Sequence, residues 1–207
     1  MNPVASHFQN LSLKQFAQFE RLDGLYRSWN KKINVISRKD IDYLYLHHVL
    51  HSLSITRFVS MKPGTKVLDA GTGGGFPGIP LAIYFPEVEF TLVDSIAKKI
   101  KVVQSVSDEI GLKNIQTRWC RVEEIEQKFD FVVSRAVTAF PEFVAWVGKL
   151  INPGGFNDIP NGIIYLKGGD IEDEIRQFAG KVRVQEVSDF FEEECFVSKK
   201  IIYLPIG

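Results

Sequence analysis

The residues best placed to do chemistry lie in one short segment, Val67-Leu68-Asp69-Ala70-Gly71-Thr72-Gly73-Gly74-Gly75-Phe76-Pro77-Gly78. Glycine allows a sharp turn and lets a ligand lie against main-chain atoms where a Cβ would intrude. Two ligand classes use such a turn between a strand and a helix. A dinucleotide takes G-x-G-x-x-G, with its pyrophosphate at the helix N-terminus, and Gly73, Gly75 and Gly78 meet that spacing. An S-adenosylmethionine site favours an acid two residues before a G-x-G-x-G turn. Asp69, Gly71, Gly73 and Gly75 meet that spacing too, with Thr72 inside the turn. The next apolar run, FTLVD, ends in Asp94; a carboxylate at such a strand tip accepts from both ribose hydroxyls of an adenosine-type ligand, whichever class it is. Two features favour S-adenosylmethionine. A long helical stretch precedes the turn, whereas dinucleotide domains commonly begin with it, and Pro77 and Pro80 interrupt a smooth helix start.

Other groups of suitable type are scattered. Arg121-Val122-Glu123-Glu124 follows the run NIQTRW. In a strand–helix fold that loop reaches an adenine ring, with Val122 on the base and main-chain groups at its edge. The same residues also read as an ordinary helix start with acids in its first turn. Arg135 follows FDFVVS at a strand end, where its fork suits a cofactor carboxylate or a phosphate, pairing with Glu123 or Glu124 being the plainer alternative. Lys167 in YLKGG ends another strand at the same edge; it offers a phosphate contact, or merely lays its stem along apolar surface. Phe76 and Phe140 are candidates to stack on a base at the mouth of a site, Phe140 also reading as core. His47, His48 and His51 invite a metal reading, but no carboxylate or cysteine spacing supports one, so no metal is expected. Cys120 and Cys195 form neither a CxxC nor a zinc pattern.

The elements that must position these groups fall into two textures. Residues 11–30 place Leu13, Phe16, Phe19, Leu22, Leu25, Tyr26 and Trp29 at amphipathic helix spacing, with Ser12 as N-cap. Residues 40–60 repeat the pattern loosely through Ile41, Leu44, Leu46, Val49, Leu53 and Ile55. After Lys62-Pro63-Gly64, short apolar runs (KVLDA, FTLVD, NIQTRW, FDFVVS, GIIYLK) alternate with helix-like stretches, and VRVQEV and FVSKKIIYL close the chain. Alternation of this kind predicts a Rossmann-like α/β domain over 63–207, a mainly parallel seven-stranded sheet with an antiparallel edge hairpin, and a helical extension over 1–62 packed on it.

Composition sets the outer limits. At 207 residues, 45% hydrophobic and 24% charged, the chain reads as one substantial domain with an appendage, which excludes disordered, fibrous and disulfide-scaffold classes. No run approaches the roughly 20 apolar residues of a membrane span. The N-terminus lacks the basic start and apolar core of an export signal, and with two unpatterned cysteines a cytoplasmic location is expected. Net charge is zero, yet residues 1–66 carry 10 Lys/Arg against 4 Asp/Glu and the remainder 15 against 21. A basic front offers a polyanion an approach. On these grounds a methyltransferase, an NAD-linked oxidoreductase and a non-enzymatic adenosine-nucleotide sensor all stay open.

The combined string LDAGTGGGFPGIPLAI, FTLVDS, RVEE, FDFVVSRA and YLKGG resembles the glucose-inhibited division protein B family, over roughly Asn30 to Leu204. Its most specific elements are GFPGIPLAI, VVSRA and LKGG, with INVIS and HHVLHS upstream. The resemblance implies a class I S-adenosylmethionine-dependent methyltransferase that places a methyl on N7 of a guanine in the 530 loop of 16S ribosomal RNA, free or in a small-subunit particle, and releases S-adenosylhomocysteine. Carried onto this chain, it implies cofactor contacts from Gly71, Phe76, Val122, Glu123 and Arg135; the turn itself adds Asp69, Thr72, Gly73 and Gly75, and the strand tip adds Asp94. Arg135 and Lys167 are the candidates nearest the chemistry, and no general base is expected. Lys31, Lys32, Arg38 and Lys39, around Asn34, are the expected contacts to the RNA backbone, with His48 beside them. One departure stands out: His51 occupies the position where the family usually has Asp. The connection NPGGFNDIPNG is longer than usual and is expected to alter a rim loop.

Overall fold

The computed structural model describes residues 3–206. Seven strands, β1 Lys66–Ala70, β2 Glu89–Asp94, β3 Ile115–Trp119, β4 Phe131–Arg135, β5 Gly162–Gly168, β6 Arg183–Glu186 and β7 Lys199–Pro205, form one sheet in the order β3-β2-β1-β4-β5-β7-β6. The first five are parallel. β7 runs antiparallel to both β5 and β6, which is the edge hairpin read from the sequence. β7 takes the inner place because Ile201 to Leu204 are buried on both faces, whereas β6 is half exposed; a strand covered on both faces must be apolar on both. Between β1 and β4 the strand order reverses, and the crevice above such a point is where open α/β sheets bind ligands.

The helices are α1 Val4–His7, α2 Leu13–Asn30, α3 His51–Phe58, α4 Gly78–Tyr84, α5 Ala97–Glu109, α6 Phe140–Val147 and α7 Glu172–Ile175. Ser12 caps α2 as expected: its hydroxyl accepts from Gln15 N, and the Gln15 side-chain oxygen accepts from Ser12 N. The same Gln15 amide donates to the carbonyls of Ile83 and Tyr84, so one residue caps α2 and docks it on α4. The buried face of α2 is narrower than its spacing predicts. Gln18, Phe19, Leu22 and Tyr26 face inward, while Leu13 is 90% and Phe16 39% exposed.

The helix expected over 40–60 changes form twice. Ile41–Tyr43 is 3₁₀, Leu44–Leu50 is a π-helix and α3 follows. Leu44 is buried within the π segment, and every residue from Val49 to Ile55 is buried, Ser52 and Ser54 included, so there is no single apolar stripe and the apolar spacing reads loosely. One face of the sheet carries a cluster that joins Phe19, Leu22, Tyr26, Val49 and Leu53 to Val67, Ile79, Leu92 and Ile164. The N-terminal helices and the sheet therefore share one core. Leu68, Val132, Phe143, Tyr165 and Ile202 form the cluster on the other face. The long connection lies away from any site rim. Asn157 accepts from Lys62 N and Thr65 Oγ1, and Asn161 donates to Asp130; all of these lie at the N-terminal ends of β1 and β4.

Candidate active site

The turn after β1 is built around Asp69. This side chain is fully buried, and its Oδ2 accepts from Thr72 Oγ1 at 2.6 Å and from Gly78 N at 2.8 Å. A carboxylate thus ties the turn's start to its end. Asp69 lines neither arm of the groove described below, so the expected cofactor contact is corrected to a positioning role. Gly75 is corrected likewise. Its φ of 97° requires glycine, but a Cβ there would meet Ile79 at 2.5 Å and Tyr26 Oη at 3.1 Å, which is protein interior. A Cβ at Gly78 would lie 2.6 Å from Asp69 Oδ2 and 2.7 Å from Leu92 Cγ. Gly78 is therefore a packing glycine that sets α4 close against the sheet, and its N–H donates to Asp69.

Burial pushes the Asp69 carboxyl up to about 7, against the pull of its two hydrogen bonds and of the Arg135 charge. From the ordinary value of 3.8 up to about 7, the folded protein keeps a proton that the unfolded chain has released. Stability attached to this group is complete below that window and falls as pH rises through it, by up to about 1.4 kcal/mol per pH unit. Asp69→Asn retains an oxygen for Thr72 and Gly78 and should flatten that dependence; urea midpoints of both proteins across the window provide the check. A mutant curve parallel to the wild-type curve would show that Asp69 is not the group titrating.

Asp94, at the tip of β2, meets the turn directly. Its Oδ2 accepts from Gly73 N at 3.0 Å and its Oδ1 from Ile96 N at 2.9 Å, and Lys99 Nζ stands 3.6 Å away. Around this contact lies a two-armed groove. One arm, about 390 Å³, runs over Gly71, Thr72, Gly73, Phe76, Asp94 and Arg135; the other, about 190 Å³, runs past Gly71, Asp94, Val122, Glu123, Phe143 and Trp146. Val122 and Glu123 sit in a 3₁₀ turn over Val122–Glu124. Val137 borders both arms and leans over the turn, so that a Cβ at Gly71 would come 2.6 Å from its Cγ2.

Arg135 pairs with neither Glu123 nor Glu124. Its Nη1 donates to the His47 carbonyl at 3.1 Å, its Nη2 to His48 Nδ1 at 2.8 Å, and its guanidinium lies over the Phe76 ring at 5.3 Å. Burial lowers its pKa to about 10, which the opposing charge of Asp69 resists; the group stays cationic at neutral pH. Phe76 is 3% exposed and packed between Tyr26 and His48, and Phe140 is wholly buried against Tyr165 and Phe178. Neither stands free to stack on an incoming base. Lys167 is likewise not a free cation: its Nζ pairs with Glu174, which also accepts from Phe140 N, so the pair docks α7 onto α6.

His48 is turned inward in a second cavity of about 300 Å³, lined also by His51, Arg135, Ala136, Lys167 and Lys199. Burial and the neighbouring Arg135 charge lower His48 to about 3 and hold His51 well below its ordinary value. His48 is thus not a surface phosphate contact. Lys31, Lys32, Asn34, Arg38 and Lys39 are all exposed, on a loop that Asn30 fastens by accepting from Val35 N and Ile36 N and donating to Ile36 O. Val35 borders the first arm of the groove, which brings the basic loop to its rim.

Several of these groups escape sequence reasoning. Tyr26 donates to Gly74 O at 2.6 Å, and burial pushes its phenol up, keeping it a donor. In sequence it is only one more apolar position on a helix. Ala136, at φ 48°, lies in both the groove and the second cavity, and nothing in its residue type announces a left-handed conformation.

Comparison with known proteins agrees with this geometry. The family profile of rRNA small subunit methyltransferase G (GidB) matches residues 15–202. The chain is 55% identical to "Ribosomal RNA small subunit methyltransferase G" of Porphyromonas gingivalis, over 98% of this chain and 92% of that one. It is 53% identical to the protein of the same name from Cytophaga hutchinsonii, over 99% of each. Among solved structures, an S-adenosylmethionine-dependent methyltransferase from Aquifex aeolicus aligns with a TM-score of 0.57 at 17% identity, over 83% of this chain and all of that one. An S-adenosylmethionine-dependent O-methyltransferase from Thermotoga maritima aligns with a TM-score of 0.58 at 12% identity, over 81% of this chain and 70% of that one. At those identities the two structures speak for the fold alone, the class I methyltransferase sheet. Matched along nearly its whole length, the chain belongs to the GidB family of small-subunit ribosomal RNA methyltransferases.

Proposed function

We propose that this chain moves a methyl group from S-adenosylmethionine to N7 of a guanine in the 530 loop of 16S ribosomal RNA, leaving S-adenosylhomocysteine. The observation that carries the reading is the contact between Asp94 and Gly73, which joins the strand-tip acid and the glycine turn in one groove. The groove's chemistry fits the cofactor from end to end. Gly73, at φ 60°, leaves space where its Cβ would meet only the Gly71 carbonyl, at 4.0 Å. Asp94 suits the ribose hydroxyls, and Val122 with Phe143 and Trp146 makes an apolar wall for adenine, Glu123 standing at its edge. Thr72, Phe76 and Arg135 border the arm that suits the amino-acid tail, where Arg135 matches a carboxylate.

The bound cofactor supplies an electrophilic methyl on a sulfonium. Guanine N7 carries an in-plane lone pair, so no proton need leave it, and the neutrality of His48 and His51 is compatible with a site that has no general base. What the protein contributes is alignment of two bound partners. The acceptor base must come from a loop or single strand, since an A-form duplex hides N7 in a deep groove. The exposed loop carrying Lys31, Lys32, Asn34, Arg38 and Lys39 contacts the RNA backbone through charge.

Labelling of small-subunit particles from cells lacking the protein, followed by mapping of the modified nucleotide, tests the proposal directly. One guanine of that loop should take up label. A response to NAD and none to S-adenosylmethionine in calorimetry would instead point to an oxidoreductase, and cofactor binding without any label in RNA to a nucleotide sensor. For the basic loop, Lys31→Ala with Lys32→Ala should reduce RNA affinity and lower the slope of log affinity against log salt by about 1.4. An unchanged slope removes the loop from the docking surface.

A further inference from the structure

One edge of the sheet ends in an aromatic ring that the groove does not use. β3 is the outermost strand on that side, and its last residue, Trp119, stands in register with Asp94 on β2. Trp119 lines neither arm of the groove and is 68% exposed. The ring is nevertheless held in place, because its Nε1 donates to the Ser95 carbonyl at 3.0 Å. Ser95 lines both arms, and the adjoining Ile96, 47% exposed, borders the first. A flat apolar surface of fixed orientation thus lies just outside the cofactor site.

Its surroundings are basic. Side chains two apart on a strand share a face, so Trp119 points to the same side as Thr117, whose Oγ1 donates to Gln104 Oε1 on α5 at 2.7 Å. Lys101 lies one turn from Gln104 toward the start of α5, and Lys98 a further turn, on the same flank. That start follows directly on Ser95 and Ile96, beside the ring. Lys98, Lys101 and Arg121 are exposed, and none forms an ion pair among the described residues. Of the nearby acids, Asp94 already accepts from Gly73 N and Ile96 N and faces Lys99. Glu123 lines the adenine arm, with Glu124 exposed in the same 3₁₀ turn.

We propose that Trp119 is a stacking platform for an unpaired base of the ribosomal RNA close to the target, with Lys98, Lys101 and Arg121 holding the phosphates around it. The inference rests on ribosomal RNA as the substrate. Aromatic rings hold single-stranded nucleic acid by stacking, and neighbouring cations track its backbone. Because the indole is fixed beforehand, little freedom is lost when a base settles on it. From β3 to β4, which ends in Arg135, the sheet spans three strand spacings, about 14 Å. The stacked base is therefore a neighbour of the target and not the target itself. The platform gives the RNA a second hold besides the basic loop at Val35.

Affinity for deproteinised 16S RNA, measured with S-adenosylhomocysteine present and no turnover, tests the platform. Trp119→Ala should weaken it about five- to 150-fold. Trp119→Phe, which keeps a ring, should recover most of that loss, and Trp119→Leu, apolar but without a ring face, should not. Lys98→Ala with Lys101→Ala should lower the slope of log affinity against log salt by about 1.4. Calorimetry should give all four proteins the wild-type affinity for S-adenosylhomocysteine, since these side chains lie outside both arms. Unchanged RNA affinity in Trp119→Ala, or leucine serving as well as phenylalanine, refutes the platform. A loss confined to assembled small-subunit particles also refutes it and makes the partner a ribosomal protein. An equal loss of cofactor affinity refutes it too and makes the ring a wall of the cofactor site. Methyl labelling of RNA by the wild type examines the underlying reading separately: if no label enters RNA that reading fails, while the binding series still decides on Trp119.

Discussion

Arg135→Ala is expected to lower methyl transfer about a hundredfold or more and to weaken cofactor affinity, with labelled-methyl incorporation and calorimetry as the two readouts. The guanidinium joins three parts of the molecule: the π-helical segment through the His47 carbonyl and His48 Nδ1, the glycine turn through Phe76, and the buried Asp69 through charge. Removing it strands an acceptor on each histidine, at about 1–3 kcal/mol for each buried group. It also takes away the positive charge that restrains the Asp69 carboxyl. The Asp69 pKa should then climb further, so the window in which stability falls with rising pH extends to higher pH than in the wild type. Arg135→Lys keeps the charge but cannot reproduce a two-pronged contact. It should therefore leave the pH window nearly in place while recovering little activity. If lysine restores full activity, the fork geometry is irrelevant and only the charge matters.

Gly78→Ala should destabilise the fold by about 1–3 kcal/mol through overpacking, as read from urea unfolding, and weaken cofactor affinity at the same time. One methyl group cannot be accommodated there, since Leu92 is fully buried in β2 and Asp69 in β1, and both lie under 3 Å from the new atom. If Asp69 is pushed aside, its bonds to Thr72 and to Gly78 N go with it and the turn loosens. Gly24→Ala is the internal contrast. That glycine is exposed within α2 with nothing within 4 Å of its Cβ position, so alanine should stabilise by about 0.5–1 kcal/mol through helix propensity. A neutral Gly78→Ala would mean that the turn tolerates displacement of Asp69.

Legibility in the sequence followed the range of the interaction. Ser12 announced the start of α2 because an N-cap acts within one turn of its own helix. The strands announced themselves because sheets covered on both faces need uninterrupted apolar runs; KVLDA coincides with β1 residue for residue. The glycine turn and Asp94 were equally visible, each lying at the end of such a run. Residue type was a poorer guide to orientation. Phe76, Lys167 and His48 are all of a kind that binds ligands, yet in the fold they respectively support Arg135, pair with Glu174 and accept from Arg135. The form of residues 44–50 was illegible because a π turn has no period that standard helical spacing can match.

By itself, the sequence determined the layered α/β architecture, the side-chain-poor bend with its acid one strand over, and the family to which the chain belongs. These depend on neighbours along the chain, and local spacing records them. Only the tertiary structure decided that Asp69 holds the bend rather than a ligand, that Tyr26 from α2 braces Gly74, and that Arg135 reaches back 88 and 87 positions to His47 and His48. Such contacts join segments distant in sequence, and they exist only after packing has brought those segments together and burial has made a partner worth finding.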